Sequence, residues 1–334
     1  MFMQKNPSDI IPDLGPSLAQ FLQEEQQQFP DIHKALPPIL RTIAAASKPI
    51  NEVVRKLGLV GMMGGQGTYN FSGDAQQKLD MTAHDCFVHM LATIKEVCAV
   101  VSEEEETIIT FPNNYGNYVI ALDPLDGSSN IDANAAIGTI FSVYQRCSPQ
   151  YTPVQQEDVL QTGEKQLAAG YILYGTSTIF VYTACHGVHG FTYEPAVGAF
   201  FLTHQGMQMP HDGVSYAIND GYFDIFPGYI QRYIRRCRRD GYTARYMGAL
   251  VADFHRHLSQ GGIYLYPPTH KNPEGRLRLM LECNALACVA EQAGGVASNG
   301  QQAILTIQPQ AIHQRVPLYI GSKNMVQALL EKVV

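Results

Sequence analysis

The stretch Ala121–Asp132 reads ALDPLDGSSNID, and it follows a run of strand-forming residues, NYVI, at 117–120. The spacing predicts a buried strand ending at Leu122, with Asp123 and Asp126 beyond its carboxyl end, where open α/β sheets place their ligands. Pro124 fixes one backbone dihedral and Gly127 permits a tight turn, so the two acids can point into one small volume. Like charges held that close repel each other, and a cation is the simplest compensation. Just past Gly127, the backbone amides of Ser128 and Ser129 can meet an anion if a helical turn begins there.

Other acids can join this group. Glu103 and Glu104 follow the apolar end of VVSEE, Asp74 and Asp80 sit six residues apart in SGDAQQKLD, and Glu282 interrupts the apolar stripe of LRLMLECNAL. Each has an ordinary alternative: a solvated acidic run for Glu103–Glu106, a helix cap and a surface acid for Asp74 and Asp80. Glu282 resists that alternative, because an unpaired acid on an apolar face is costly. A carboxylate-only set, without Cys or His, suits Mg²⁺ or Mn²⁺ better than Zn²⁺.

The 334-residue chain is 46% hydrophobic, enough for one large domain or two smaller ones. A net charge of -7 argues against nucleic acid or an anionic membrane as the main partner. Seven scattered cysteines, with no CxxC pair, imply no disulfide framework. The N-terminal residues show no basic region followed by an apolar core, so a cytoplasmic protein is expected.

Three segments are expected. Residues 1–30, rich in Gln and Pro, form an N-terminal arm that tethers loosely or exchanges contacts with a neighbour. Residues 31–203 form a first subdomain. Its first helix has a stripe of Leu36, Ile39, Leu40, Ile43, Ile50, Val53, Val54 and Leu57 closed by Gly58. A loop, MGGQGTYNFSG, precedes a second helix with Leu79, Ala83, Phe87, Met90, Leu91, Ile94 and Val97 on one side. Six strand-like runs follow: TIITF, NYVIAL, AIGTIFSVYQR, LAAGYILYG, STIFVYTA and HGFTYE. Residues 204–334 alternate as a second subdomain, with strands VSYAIND, GGIYLYP and VPLYIG and helices at 225–239, 247–259 and 277–293. His186 and His189 lack a third ligand at metal spacing, His255 and His257 are two apart on an expected helix and face apart, and the arginines at 232–239 read as a solvated face or an interface.

DPLDGSSNID, together with VSEE, SGDAQQKLD, NDGY, ARYMG, GGIYLYP and GRLRLMLECN in that order, resembles class I fructose-1,6-bisphosphatases from about Ile50 to the C-terminus. The Asp-Pro-Leu-Asp-Gly-Ser core marks the wider lithium-sensitive, metal-dependent phosphatase superfamily, and the later motifs narrow it. The resemblance implies an α/β fold, a layered αβαβα sandwich of two subdomains. It also implies hydrolysis of the 1-phosphate of fructose 1,6-bisphosphate in gluconeogenesis or a related pathway.

By the same resemblance, two or three Mg²⁺ ions would be held by Glu103, Asp123, Asp126, Glu282, the carbonyl of Leu125 and Asp74. Glu104 with Asp80 would polarise the attacking water. Asp126, Gly127, Ser128 and Ser129 would meet the transferring phosphoryl group. Asn219, Tyr222, Tyr246, Tyr266 and Arg276 would hold the sugar and its distal phosphate, with Arg245 reaching over from a neighbouring subunit of a homotetramer. Arg276 stands where the family usually has Lys, which implies an altered Michaelis constant. The family's AMP-binding residues are displaced here: KALP at 34–37, Asn117-Tyr118, and Gln145 with Arg146 one place along. A one-residue shift on a strand turns a side chain to the other face, so AMP inhibition is expected to be weak or absent. The alternatives are a sedoheptulose-1,7-bisphosphatase, a dual-specificity enzyme, or a sugar-phosphate sensor without catalysis.

Overall fold

A computed structural model describes residues 14–30, 33–56, 71–111 and 115–331, with backbone only for 71–77. The loop at 63–70, including Gly64–Gly67, and the expected helix end at Leu57 and Gly58 lie outside the described residues.

Helices α1 (Leu18–Gln28), α2 (Leu36–Val54) and α3 (Phe71–Leu91) open the chain. An eight-stranded sheet follows: β1 (Val97–Ser102), β2 (Ile109–Thr110), β3 (Tyr118–Asp126), β4 (Ile137–Gln145), β5 (Gln166–Tyr174), β6 (Thr178–Thr183), β7 (His189–Glu194) and β8 (Ala199–His204), with a short helix α4 (Gln156–Val159) between β4 and β5. Its spatial order is β2-β1-β3-β4-β5-β6-β7-β8, and of these pairs only β1 with β3 is parallel. A second sheet is built from β9 (Ser215–Ala217), β10 (Thr243–Ala244), β11 (Ile263–Tyr266), β13 (Val296–Ser298) and β15 (Leu318–Gly321), while β12 (Leu277–Arg278) pairs only with β14 (Arg315–Val316). Helices α5 (Gly228–Arg239), α6 (Leu250–Gln260), α7 (Asn284–Gln292) and α8 (Lys323–Leu330) complete it.

Three buried clusters define five layers. Ile39, Ile43 and Phe87 from the first helices pack on Ile120, Leu122 and Phe141 of the large sheet. The opposite face of that sheet, through Ile140, Tyr171 and Val181, meets Val251 and Phe254 of α6 and Leu286 and Val289 of α7. Those helices cover the second sheet at Leu318 and Ile320, whose far side packs Ile263 and Tyr319 on Ile230 and Ile234 of α5 and Val326 of α8. The order is αβαβα, as expected. A sheet buried on both faces explains why its strands read as continuous apolar runs.

Several local expectations change. The N-terminal segment contains a capped helix, in which the Ser17 amide donates to Gln20 Oε1 at 2.9 Å and Leu18, Phe21 and Leu22 enter the first core. Gln-rich composition hides that i, i+3, i+4 stripe. The helix with Leu79 ends at Leu91, and Val97 opens strand β1 instead; Phe71–Gly73, expected in a loop, begin that helix. Strand β8 and helix α8 were not foreseen. The expected helix at 277–293 is a two-residue strand, a π-helical turn at Leu279–Cys283, and then α7. The arginines of α5 lie on an exposed face, where Arg238 pairs with Asp220 at 3.0 Å. No helix among the described residues is long and apolar enough to cross a membrane.

Candidate active site

Strand β3 does not stop at Leu122. It continues through Asp126 with a bulge: Asp123 faces Ile140 on β4, and Asp126 faces Gly138. Three steps on β3 match two on β4, so one extra residue is absorbed. Residues three apart on a regular strand point to opposite faces, and the extra residue returns Asp126 to the face of Asp123. Pro124 has no amide to lose at the bulge. Its carbonyl accepts from Thr139 Oγ1 at 2.8 Å, and the Leu125 amide donates to Asp123 Oδ1 at 3.0 Å. Gly127, at φ +81°, reverses the chain into a 3₁₀ turn at Ser128–Asn130. A Cβ there would lie 2.3 Å from Ala249 Cβ, so glycine is required twice over.

The parallel pairing of β1 with β3 sets Ser102 beside Leu122, and the Glu103 amide donates to the Leu122 carbonyl at 3.0 Å. Glu103 and Glu104 therefore leave β1 beside Asp123. Helix α3 delivers Asp80 to the same edge. His84, one turn on from Asp80, meets Ser102 Oγ at 2.8 Å through Nδ1, and that hydroxyl accepts the Glu104 amide at 3.4 Å. His84 and Ser102 were not singled out in the sequence, because neither residue type signals a link between two elements far apart in the chain. Glu282 arrives on the π-helical turn, with Oε2 accepting the Arg278 amide at 2.6 Å.

Asp123, Asp126 and Glu282 are buried, and each offers a carboxylate oxygen within 4.8 Å of the others. Burial raises the Asp123 pKa well above the carboxylate range, and repulsion from Glu103, Asp126 and Glu282 adds to it. Burial, then Glu103, does the same to Glu282. Asp126 is pushed up to about 7 by burial, against the amides of Val251 and Leu250 that favour its charge. Asp80 is also pushed up to about 7, by burial and then Glu104 and Glu103, with a lowering hydrogen bond from Ser128. Asp80 Oδ1 is a buried acceptor without a hydrogen-bond partner among the described residues. Glu104 is raised by burial and by Glu103. The guanidinium of Arg278 pairs with Glu103, a direct cationic contact within the group. A compact set of buried oxygen ligands with raised affinity for protons fits a hard divalent cation, which would relieve the same repulsion.

Beside the acids, a cavity of about 310 Å³ is lined by Asn219, Tyr222, Tyr266 and Arg276, with Lys271 as a second cation. Lys271 was missed, since it lies in the loop between β11 and β12 outside any quoted motif. Burial raises the Tyr266 pKa, the Arg276 charge lowers it and the Glu282 charge raises it, so residues of cavity and cluster act on one hydroxyl. Tyr246 neighbours Tyr266, Asp126 and Tyr222. Arg245 is exposed and is not among the residues lining the cavity. The side chain of Asp74 lies outside the described residues.

The layered sandwich with buried acids at the carboxyl ends of β1 and β3 is the architecture of a sugar phosphatase, a class of phosphoric monoester hydrolases. The family model described as fructose-1-6-bisphosphatase, N-terminal domain, matches residues 16–205, and its C-terminal counterpart matches residues 209–333. A protein of Amoebophilus asiaticus (strain 5a2), named fructose-1,6-bisphosphatase class 1, is 55% identical over 325 residues, covering 97% of this chain and 98% of that protein. The crystal structure of Leishmania major fructose-1,6-bisphosphatase in holo form superposes with a TM-score of 0.85 at 33% identity, covering 96% of this chain and 99% of that one. The chain belongs to the class I fructose-1,6-bisphosphatase family.

Proposed function

We propose that the chain hydrolyses the 1-phosphate of fructose 1,6-bisphosphate, giving fructose 6-phosphate and inorganic phosphate. One observation carries this reading: three buried carboxylates within 4.8 Å of one another adjoin a tyrosine-lined cavity with two cations. The acids suit the chemistry of ester cleavage, and the cavity suits a sugar with a second phosphate.

In this reading Glu103, Asp123, Asp126, Glu282, the Leu125 carbonyl and Asp74 hold two or three Mg²⁺ ions per subunit, with Mn²⁺ as a substitute. Bound there, the ions supply neutralisation of the leaving alkoxide and a more acidic water. The protein's own groups do the rest. Glu104 and Asp80 orient the attacking water and offer carboxylate oxygens to its proton. The amides of Gly127, Ser128 and Ser129 receive the oxygens of the transferring phosphoryl group and keep it in line. Asn219, Tyr222, Tyr246, Tyr266 and Arg276, helped by Lys271, hold the sugar and the distal phosphate.

Arg245 serves a neighbour's site in a homotetramer, in keeping with its exposed position in the single chain. Residues 31–203 carry the metal site, residues 204–334 the sugar end, and residues 1–30 an arm. The enzyme acts in the cytoplasm and binds neither nucleic acid nor membrane.

The test is phosphate release by purified protein, with and without Mg²⁺, from fructose 1,6-bisphosphate, sedoheptulose 1,7-bisphosphate and inositol 1-phosphate. Magnesium-dependent release from the fructose ester is expected. Faster turnover of either other ester would reassign the substrate, and no turnover with retained sugar-phosphate binding would make the protein a sensor.

A further inference from the structure

Two segments that meet opposite ends of the substrate in the reading above also dock on each other. Segment 126–130 carries the phosphoryl-binding amides, and segment 246–251 begins with Tyr246, assigned to the sugar end. They run antiparallel: the Asp126 carboxylate takes the amides of Leu250 and Val251 at 3.3 and 2.7 Å, and Gly127 lies against Ala249. At the far end of this contact Asn130 donates from Nδ2 to the Met247 carbonyl at 2.9 Å. The same nitrogen donates to the Ala136 carbonyl at 3.0 Å, so both of its hydrogens are used. From the other side, the fully buried Asp253 accepts the Met247 amide at 3.0 and 3.1 Å and the Gly248 amide at 3.3 Å. The amide and carbonyl of Met247, the first residue past Tyr246, are thus held from opposite sides.

We propose that Asn130 is a positioning residue that fixes the spacing between the two ends of the substrate site. Added to the Asp126 contacts, this side-chain bridge fixes how far Tyr246 stands from the phosphoryl-binding turn, which favours phosphate esters bearing a second anionic group at the far end of the sugar. The inference rests on the assignment of those two segments to the two substrate ends. Its physical basis is that a ligand gripped at both ends gains from the second grip only while the separation is right. Asp126, which keeps the segments docked, is untouched by a change at Asn130, so the spacing loosens without the segments parting.

The test uses the full chain with Mg²⁺ and two variants. Asn130→Ala removes the bridge, and Asn130→Asp keeps its size but sets a negative charge against two carbonyl oxygens. Both are expected to raise KM for fructose 1,6-bisphosphate by about tenfold, with a smaller change in kcat. Inhibition constants of one-ended ligands, inorganic phosphate and fructose 6-phosphate, should stay within about twofold of the wild type, because each uses one end alone. An unchanged KM in both variants overturns the proposal. Equal weakening of one-ended and two-ended ligands also overturns it, since that is the signature of a local loss of structure. Absence of magnesium-dependent turnover in the wild type would instead overturn the assigned activity, and it is seen before any variant is made.

Discussion

The Asp126 carboxylate accepts the backbone amide of Val251 at 2.7 Å, so an acid on the large sheet occupies the N-terminal turn of helix α6. Ala249, the helix's own N-cap residue, offers no side-chain acceptor. The helix terminus favours negative charge on Asp126, and burial opposes it. The outcome is a carboxyl fixed in place and poised near neutral pH.

That balance makes the metal-free protein sensitive to pH. Asp80, Asp126 and Asp253 are each pushed up to about 7, for Asp253 by burial first, against the amides of Met247 and Gly248. A carboxyl whose folded pKa exceeds its unfolded value binds more protons when folded. Its contribution is full below about pH 4 and is lost as pH rises through about 7. In EDTA the melting temperature should fall by at least about 5 °C between roughly pH 5 and pH 8, and Mg²⁺ should flatten the slope. Metal-free stability that climbs across this interval would contradict the assignment.

Charge removal should separate stability from activity. Glu282→Gln keeps an acceptor for the Arg278 amide but removes one of the repelling charges around Asp123. The variant is expected to lose at least about 100-fold in kcat, the scale seen even for residues outside the ligand shell. Without metal at about pH 8, it should melt above the wild type. Calorimetry in EDTA and phosphate-release kinetics check the two halves independently.

Arg276→Lys tests the departure at the sugar end. Arg276 lines the cavity together with Tyr266, and a lysine amine cannot keep the planar, forked geometry of the guanidinium. With one hydrogen bond changed, KM for the bisphosphate should shift by about two- to tenfold. An unchanged KM would show that the guanidinium does not contact the substrate.

AMP should not inhibit at micromolar concentrations. His33 Nδ1 lies 3.1 Å from the Tyr118 hydroxyl, which engages that phenol within the chain. Gln145, the last residue of β4, is exposed, while Arg146, just past the strand, is buried against Asp158 at 3.4 Å. The shift by one residue has turned the arginine inward. An AMP titration of the magnesium-dependent activity decides the point, and strong inhibition would sink it.

The same buried pair predicts a stability effect remote from the acids. Asp158 accepts the amides of Cys147, Ser148 and Gln155 at 2.8, 2.6 and 2.8 Å as well as facing Arg146. Asp158→Ala would leave these amides without their acceptor and the buried Arg146, still donating to Ser148, Thr152 and Pro153, without its counter-charge, costing about 3–5 kcal/mol. A denaturant midpoint close to the wild type would show that the loop relaxes around the loss.

The sequence by itself determined the long helices and most strands, because hydrophobic periodicity records which faces are buried, while the layered class followed from the order of its motifs, through the family they resemble. It also supplied the acids, through the rarity of Asp-Pro-Leu-Asp-Gly and of an acid in an apolar stripe. It brought Asp123 and Asp126 toward one small volume through Pro124 and Gly127, but did not reveal the backbone path that does so. Nor did it bring Glu282 to them by spacing. Glu282 reaches Asp123 only because a π-helical turn, absent from any periodicity, replaces the start of an expected helix. Asp126 shares a face with Asp123 only because β4 forces a one-residue bulge opposite Pro124. Helix α1, strand β8 and the His84–Ser102 tie were hidden for the same reason. Short or polar segments gain their stability from partners distant in the chain, and local sequence holds no trace of a partner.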